Sequence, residues 1–125
     1  MKTNGKYYIA DTGLRNYLLG FRDGDRGHLL ENIVYFELLR RGYSVAIGKV
    51  GTKEIDFIAT KTDEKKYIQV TESIREKETR ERELGVLLQI NDNYEKILIT
   101  SDKDMLDEEQ GIKIISVIDF LLAES

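Results

Sequence analysis

Residues 54–71, EIDFIATKTDEKKYIQVT, decide the fold of this chain. Two runs rich in β-branched and aromatic residues flank a short polar stretch, which is typical of two strands joined by a tight connection. In the first run, alternation sends Ile55, Phe57 and Ala59 to one face of the sheet. Asp56 faces the opposite way, where an acidic side chain among apolar neighbours is expected to be partly buried.

The second run places two polar side chains on one face of its strand. Period-two alternation puts Gln69 and Thr71 on the same face, and Ile68 and Val70 on the other. A solvated sheet face is the alternative explanation for this pair, because threonine is a good strand former.

Helices and further strands are predicted on both sides of this hairpin. A helix is expected over 28–41, because apolar residues recur at helical spacing, cations occupy its last turn and Gly42 follows as its cap. The remaining predictions are strands at 44–50, 54–60 and 65–71 in an antiparallel meander, a helix at 75–90, strands at 96–100 and 112–117, a helical turn at 118–122, and, before all of these, a strand at 6–10 and a short helix ending at Gly20.

The order helix, three strands, helix, strand, strand predicts an α/β domain with a small mixed sheet between helices. The 125 residues suit a single domain over 1–125. With 41% hydrophobic and 34% charged residues, the composition is that of a folded soluble chain.

Composition also excludes several function classes. The chain has no cysteine, so a disulfide, a thiolate metal site and a cysteine nucleophile are all excluded, and a reducing cytoplasm is the expected location. No apolar run reaches the roughly 18 residues needed to cross a bilayer, so no membrane contact is expected. A net charge of −4 restricts any nucleic-acid contact to a local patch.

Glu31 is a fourth polar residue that lies on a predicted regular element and needs an explanation, as do Asp56, Gln69 and Thr71. It shares a helix face with apolar residues three, four and seven positions along the helix. For the acids, the alternative explanation is a carboxylate satisfied by hydrogen bonds or by neighbouring cations, a common state of half-buried acids.

The arrangement of these residues resembles a known superfamily. A helix glutamate, an aspartate on the second strand and a (D/E/Q)xK-like triplet on the third resemble the restriction-endonuclease-like fold called PD-(D/E)XK. More narrowly, the chain resembles a domain of unknown function found at the C-terminus of prokaryotic AAA-type ATPases. This resemblance extends over essentially the whole chain and is carried by GHLLENIVYFELLRRGY (27–43), EIDFIA (54–59), YIQVTESI (67–74), ETRERELGVLLQI (78–90) and GIKIISVIDFLL (111–122).

The resemblance implies a three-layer restriction-endonuclease-like core, and it assigns expected roles to four residues of this chain. Glu31 and Asp56 match acidic positions that hold Mg²⁺ or Mn²⁺ in active relatives, and Gln69 matches the second acid. Thr71 stands where those relatives have the catalytic lysine. A neutral hydroxyl cannot supply the positive charge of an ammonium beside the reacting phosphate.

Two cations on the following helix are candidates to replace the missing lysine. Lys77 and Arg80 fall near the apolar face of the helix predicted at 75–90, from which one of them could reach the sheet. Arginine is a poor base because it stays protonated. Any metal binding by Glu31, Asp56 and Gln69 is expected to be weak, because the glutamine offers a neutral oxygen.

Function is therefore expected to be that of a catalytically degenerate, nuclease-like accessory domain rather than an enzyme. The resemblance implies that the chain is the C-terminal fragment of a larger protein, with an upstream AAA ATPase module as partner and with DNA or protein as ligand. The chain contains no ATPase site of its own, because GxxxxGK[ST] spacing is absent. The alternatives are an active Mg²⁺-dependent DNA nuclease and a pure protein-interaction or oligomerisation domain.

Overall fold

The computed structural model describes residues 26–103 and 108–123. The strand predicted at 6–10 and the short helix ending at Gly20 lie outside these residues. The elements in chain order are helix α1 (Arg26–Arg40), strands β1 (Ser44–Val50), β2 (Lys53–Lys61) and β3 (Glu64–Thr71), helix α2 (Lys77–Leu88), strands β4 (Glu95–Thr100), β5 (Glu108–Glu109) and β6 (Ile112–Ser116), and helix α3 (Val117–Leu122).

The strands form one mixed sheet in the order β1-β2-β3-β4-β6-β5. β1, β2 and β3 pair antiparallel, as the predicted meander requires, whereas β4 lies parallel to β3 and β6 lies parallel to β4. The parallel step from β3 to β4 carries α2 as its crossover helix. The predicted α/β class, a mixed sheet between helices, is confirmed; the short strand β5 was not predicted, because two residues show no periodicity.

Helices cover both faces of the sheet, and the sheet separates the hydrophobic core into two clusters. On the first face, α1 and α3 pack against the alternate residues of β2, β3 and β4 that include Phe57 and Ile68. On the second face, α2 packs through Leu84 and Leu87 against Tyr67 and its neighbours. Within the described ranges, no helix is long and apolar enough to cross a membrane.

A bulge in β2 changes the predicted alternation. Ala46 of β1 pairs with Ile58 and Gly48 pairs with Ile55, so two residues of β2, Asp56 and Phe57, lie opposite one residue of β1. The extra residue reverses the alternation, because the side-chain period of a strand is two. The prediction that Ile55 shares a face with Phe57 is therefore wrong: Ile55 packs in the second cluster and Phe57 in the first.

An ion pair at the C-terminal end of α1 holds Arg41, which in turn hydrogen-bonds to the end of α3. Glu37 Oε2 lies 2.6 Å from Arg41 Nε and 2.7 Å from Arg40 Nη2. Arg41 Nη2 in turn donates to the carbonyl oxygens of Phe120 at 2.6 Å and Ala123 at 3.1 Å. Hydrogen bonding by Arg40, with further help from Arg41, lowers the pKa of Glu37 to about 2.

Glu37→Gln is expected to lower the free energy of unfolding at pH 7 by about 1–2 kcal/mol, because the charge-assisted bonds to both arginines are lost. The folded-state pKa lies below the ordinary 4.5, so this stabilisation is present above pH 4.5 and disappears as the pH falls to about 2. Urea denaturation across this range should show the two proteins converging in acid. Asp63→Asn, at an exposed turn, is the matched control; a constant difference at all pH values would contradict the assignment.

Candidate functional site

β2 and β3 separate at the point where the predicted site residues lie. The backbone pairing of the two strands reaches Phe57 and Ile68 and goes no further in this direction. Beyond that pair, side chains make the connection: the Asp56 amide donates to Gln69 Oε1 at 2.8 Å, and the Val70 amide donates to Asp56 Oδ2 at 2.8 Å. We call this reciprocal pair of bonds the Asp56–Gln69 clasp.

The clasp extends to helix α2 through the other end of the glutamine amide. Gln69 Nε2 donates to Glu83 Oε1 at 3.1 Å. The side chain of Gln69 is buried, with only 4% of the residue exposed. The solvated-face explanation is therefore wrong for Gln69, which is a structural link between β2, β3 and α2.

A shallow pocket of about 410 Å³ opens beside the clasp. Among the described residues it is lined by Glu31, Lys53, Glu54, Asp56, Gln69, Val70, Arg82, Glu83 and Val86. Glu31 comes from α1, on the first face of the sheet, whereas Glu83 comes from α2, on the second. The two helices reach one pocket because β2 and β3 part between them.

The pocket carries more negative than positive charge. Four carboxylates and two cations line it. Burial raises the pKa of Glu83; Arg82, whose Nη2 lies 3.8 Å from Glu83 Oε2, lowers it, and the charge of Glu31 raises it. The net shift is upward because burial is the largest of these causes, and repulsion by the Glu31 carboxylate adds the smallest part.

The structure brings together three of the predicted site residues. Glu31, Asp56 and Gln69 line the same pocket, and Glu31 is half-buried on the helix face predicted for it. Thr71 lies two residues beyond Gln69 on β3, where it is half-buried and pairs with Thr100. It does not line this pocket.

The two candidate replacements for the lysine also lie away from the pocket. Lys77 is exposed, with its Nζ 4.0 Å from Glu81 Oε2. Arg80 Nη1 lies 3.9 Å from Glu109 Oε1 of β5. The cations that do line the pocket are Lys53 and Arg82.

Two oxygens of the expected metal-binding set are already engaged in hydrogen bonds. Asp56 Oδ2 and Gln69 Oε1, two of the oxygens that Mg²⁺ would need, each accept a bond from a backbone amide. Across residues 26–103 and 108–123, no group of three or more histidine, cysteine or acidic side chains is placed to hold a metal ion.

Sequence reasoning missed Glu83, Arg82 and Lys53. A signal for Glu83 was present, because Val86 and Leu87 follow it at three and four positions along α2 and are buried. The same spacing argument placed Glu31 on an apolar helix face. Lys53 carries no such signal, since its position depends on how β2 meets β3 in space.

Comparison with known proteins shows that the chain is homologous to part of longer proteins. It is 51% identical over 122 residues to an uncharacterized protein of Haemophilus influenzae, which covers 98% of this chain and 30% of that protein. It is 32% identical over 118 residues to uncharacterized protein MJ1544 of Methanocaldococcus jannaschii, covering 91% of this chain and 23% of that protein. No family model matches the chain, and no solved structure matches it. The chain thus spans less than a third of either relative.

Asp56→Ala is expected to destabilise the protein by about 1–3 kcal/mol, because it leaves the buried Val70 amide without its acceptor. Gln69→Ala should cost a similar amount, and the double variant should cost less than the sum, because both residues serve one clasp. Urea denaturation measures all three. Glu54→Ala removes an exposed carboxylate from the same pocket and should change stability little; strictly additive losses would argue against a shared clasp.

Glu31→Gln is expected to lower the pKa of Glu83 toward its ordinary 4.5, because one of the charges that raises it is removed. Part of the upward shift should persist, since burial contributes independently. Carboxyl ¹³C chemical shifts followed by NMR during a pH titration measure this value. Glu54→Gln serves as the control; an equal effect of both variants would show a diffuse field rather than a specific Glu31–Glu83 interaction.

Proposed function

We propose that this chain is a non-catalytic accessory domain of a longer protein, built on a restriction-endonuclease-like core, and that it acts by binding a protein partner. The Asp56–Gln69 clasp carries the proposal. Asp56 and Gln69 occupy positions at which active relatives of the resembled superfamily hold a metal, yet both are engaged here in bonds that join β2, β3 and α2. The residues have a structural task in place of a catalytic one.

The order of elements supports descent from that core. Helix α1, the antiparallel meander β1 to β3, the crossover helix α2 and the parallel strand β4 follow in the sequence that the resemblance implies. Glu31, Asp56 and Gln69 also meet at one end of the β2–β3 hairpin, as expected for a shared site. The shared order of elements and the shared position of these residues support common descent, and they do not by themselves indicate an activity.

The charges at the pocket argue against direct contact with nucleic acid there. Within the described part of the chain, phosphate oxygens at this pocket would face four carboxylates and two cations, Lys53 and Arg82. Arg82 is already within 3.8 Å of Glu83. Thr71 supplies no cation, and Lys77 and Arg80 pair with acids elsewhere. A protein partner is consequently favoured over DNA at this pocket.

The remainder of the longer protein is the partner we propose. The homologous proteins are more than three times the length of the matching segment, so in them the segment is one part among others. The resemblance to domains that follow AAA-type ATPases points to an upstream ATPase module as the neighbour. Binding to that module in the same polypeptide needs only modest affinity, because linkage raises the effective concentration.

An active metal-dependent nuclease is the second candidate. It is favoured by Glu31, Asp56 and Glu83, which come from three different elements and line one pocket together with Lys53, although these acids are not grouped closely enough to hold a metal ion in this structure. In this alternative, a divalent ion bound at Asp56 Oδ2 and Gln69 Oε1 would compete with the backbone amides that already donate to those oxygens. The cost of breaking the clasp makes this the weaker candidate.

The chain of 125 residues is expected to cleave neither single- nor double-stranded DNA in the presence of Mg²⁺ or Mn²⁺, because Asp56 and Gln69 are engaged in the clasp and Thr71 stands where a catalytic lysine is expected. Gel analysis of labelled oligonucleotides measures cleavage, and calorimetric titration with Mn²⁺ measures metal binding. Affinity for DNA that lacks a 5′-terminal phosphate should also stay undetectable at low salt, where contacts with backbone phosphates are strongest.

The opposite result has a clear signature. Cleavage that is lost in Asp56→Ala and retained in Glu54→Ala would establish the nuclease and refute the accessory-domain proposal. Mn²⁺ binding that disappears in Glu31→Ala would point the same way even if cleavage were slow. Salt-sensitive DNA binding without cleavage would replace the protein partner with DNA.

A further inference from the structure

A second pocket lies at the other end of the β2–β3 hairpin, where β2 ends and β3 begins. It has a volume of about 300 Å³ and is bounded by the sheet, the turn after α1 and the C-terminal end of α3. Its apolar wall includes Ile97, Ile115 and Phe120. None of its lining residues belongs to the pocket beside the clasp.

Three lysines approach this pocket from two neighbouring strands and from β6. Lys61 Nζ lies 4.5 Å from the centre of the Tyr43 ring, and Lys66 Nζ lies 5.6 Å from the same centre. The Tyr43 hydroxyl donates to Glu64 Oε1 at 2.9 Å, so the ring is held in place. Lys113 lines the pocket as well.

The lysines are incompletely neutralised by the acids around them. Glu95 is shared, with one oxygen 3.6 Å from Lys66 Nζ and the other 4.0 Å from Lys113 Nζ. Both distances exceed the roughly 2.7–2.9 Å of a charge-assisted hydrogen bond. Among the described residues, no carboxylate lies within ion-pair distance of Lys61, and Glu64 is engaged by Tyr43.

The fourth cation of the pocket, Arg41, is already occupied. Its guanidinium pairs with Glu37 and donates to two carbonyl oxygens at the end of α3. Among the described residues that line the pocket, the three ammonium groups therefore face two carboxylates, Glu64 and Glu95, and keep donors in excess. This local surplus of positive charge stands out in a chain whose net charge is −4.

Partial burial strengthens the attraction that the Lys66 ammonium group exerts. The Lys66 side chain is 25% exposed, so its charge is screened less than that of a fully solvated lysine. Burial lowers the pKa of Lys66, but the carboxylate of Glu95 and the hydroxyl of Tyr43 outweigh it, and the net shift is upward. Lys66 is therefore a cation at neutral pH.

We propose that this pocket binds a phosphate monoester, with the ammonium groups of Lys61, Lys66 and Lys113 around the phosphate and the apolar wall against the organic part of the ligand. A phosphate monoester carries a charge of about −2 at pH 7 and three acceptor oxygens. Three ammonium groups match that number of oxygens. A single carboxylate would satisfy fewer of the donors.

The phosphate could belong to a small metabolite or to the 5′ end of a nucleic-acid strand, since the chemistry of the group is the same. The volume of about 300 Å³ accommodates a compact ligand rather than a continuous strand. The inference does not rest on the proposed function, because it concerns different residues at the opposite end of the hairpin.

Calorimetric titration with adenosine 5′-monophosphate tests the proposal, with adenosine as the uncharged comparison. The nucleotide should bind at low salt with a dissociation constant of about 1 mM or lower, and adenosine should not bind. Lys66→Ala and Lys61→Ala should each weaken binding about tenfold, as expected for one lost charge-assisted bond. Glu95→Gln should strengthen binding, because it releases Lys66 and Lys113 from a competing carboxylate.

Lys65→Ala is the matched control. Lys65 is the neighbour of Lys66 on β3, but its ammonium lies near the rings of Tyr67 and Tyr94, and it does not line the pocket. It should leave nucleotide affinity unchanged although it alters the net charge equally. Thermal unfolding without ligand shows whether each variant is folded, and the gain expected in Glu95→Gln does not depend on any loss of stability.

Every outcome of this experiment bears on the proposal. No nucleotide binding, equal binding of adenosine, or equal weakening by Lys65→Ala and Lys66→Ala would overturn it. A 5′-phosphorylated oligonucleotide that binds more tightly than both the mononucleotide and its unphosphorylated counterpart would identify a nucleic-acid end as the source. Equal affinity for the mononucleotide and the phosphorylated oligonucleotide would identify a small metabolite.

Discussion

The separation of β2 from β3 after the Phe57–Ile68 pair is the constraint on which the rest of the site depends. Two strands that part leave backbone amides without ladder partners, and buried amides require acceptors. Asp56 and Gln69 supply those acceptors from their side chains. The opening that results lets α1 and α2, on opposite faces of the sheet, contribute to one pocket.

The bulge in β2 belongs to the same constraint. At the bulge, Asp56 and Phe57 of β2 lie opposite a single residue of β1. The Ile55 side chain consequently packs in the second core cluster. Bulges commonly re-aim a side chain near a functional site. Here the effect is to anchor Asp56 against β3, where its carboxylate accepts a hydrogen bond from the Val70 amide.

The two ends of the β2–β3 hairpin differ in charge. Carboxylates outnumber cations beside the clasp, whereas lysines outnumber acids where β2 ends and β3 begins. Such a division arises without any strong net charge on the chain. We have proposed a protein surface as the ligand at the first end and a phosphate at the second, in keeping with these charges.

The sequence by itself determined the class of fold and the order of the elements, because helical and strand periodicities are local and glycines mark the ends of elements. The predicted bounds of β1 match those observed, since Gly42 and Gly51, both with positive φ, flank it. The sequence also shows directly that position 71 is a threonine and not a lysine. Only the tertiary structure decided that Ile55 leaves the face of Phe57, that Glu83 joins Glu31, and that Lys61, Lys66 and Lys113 gather at one pocket. These outcomes depend on strand pairing and helix packing between residues far apart in the chain, which local patterns do not encode.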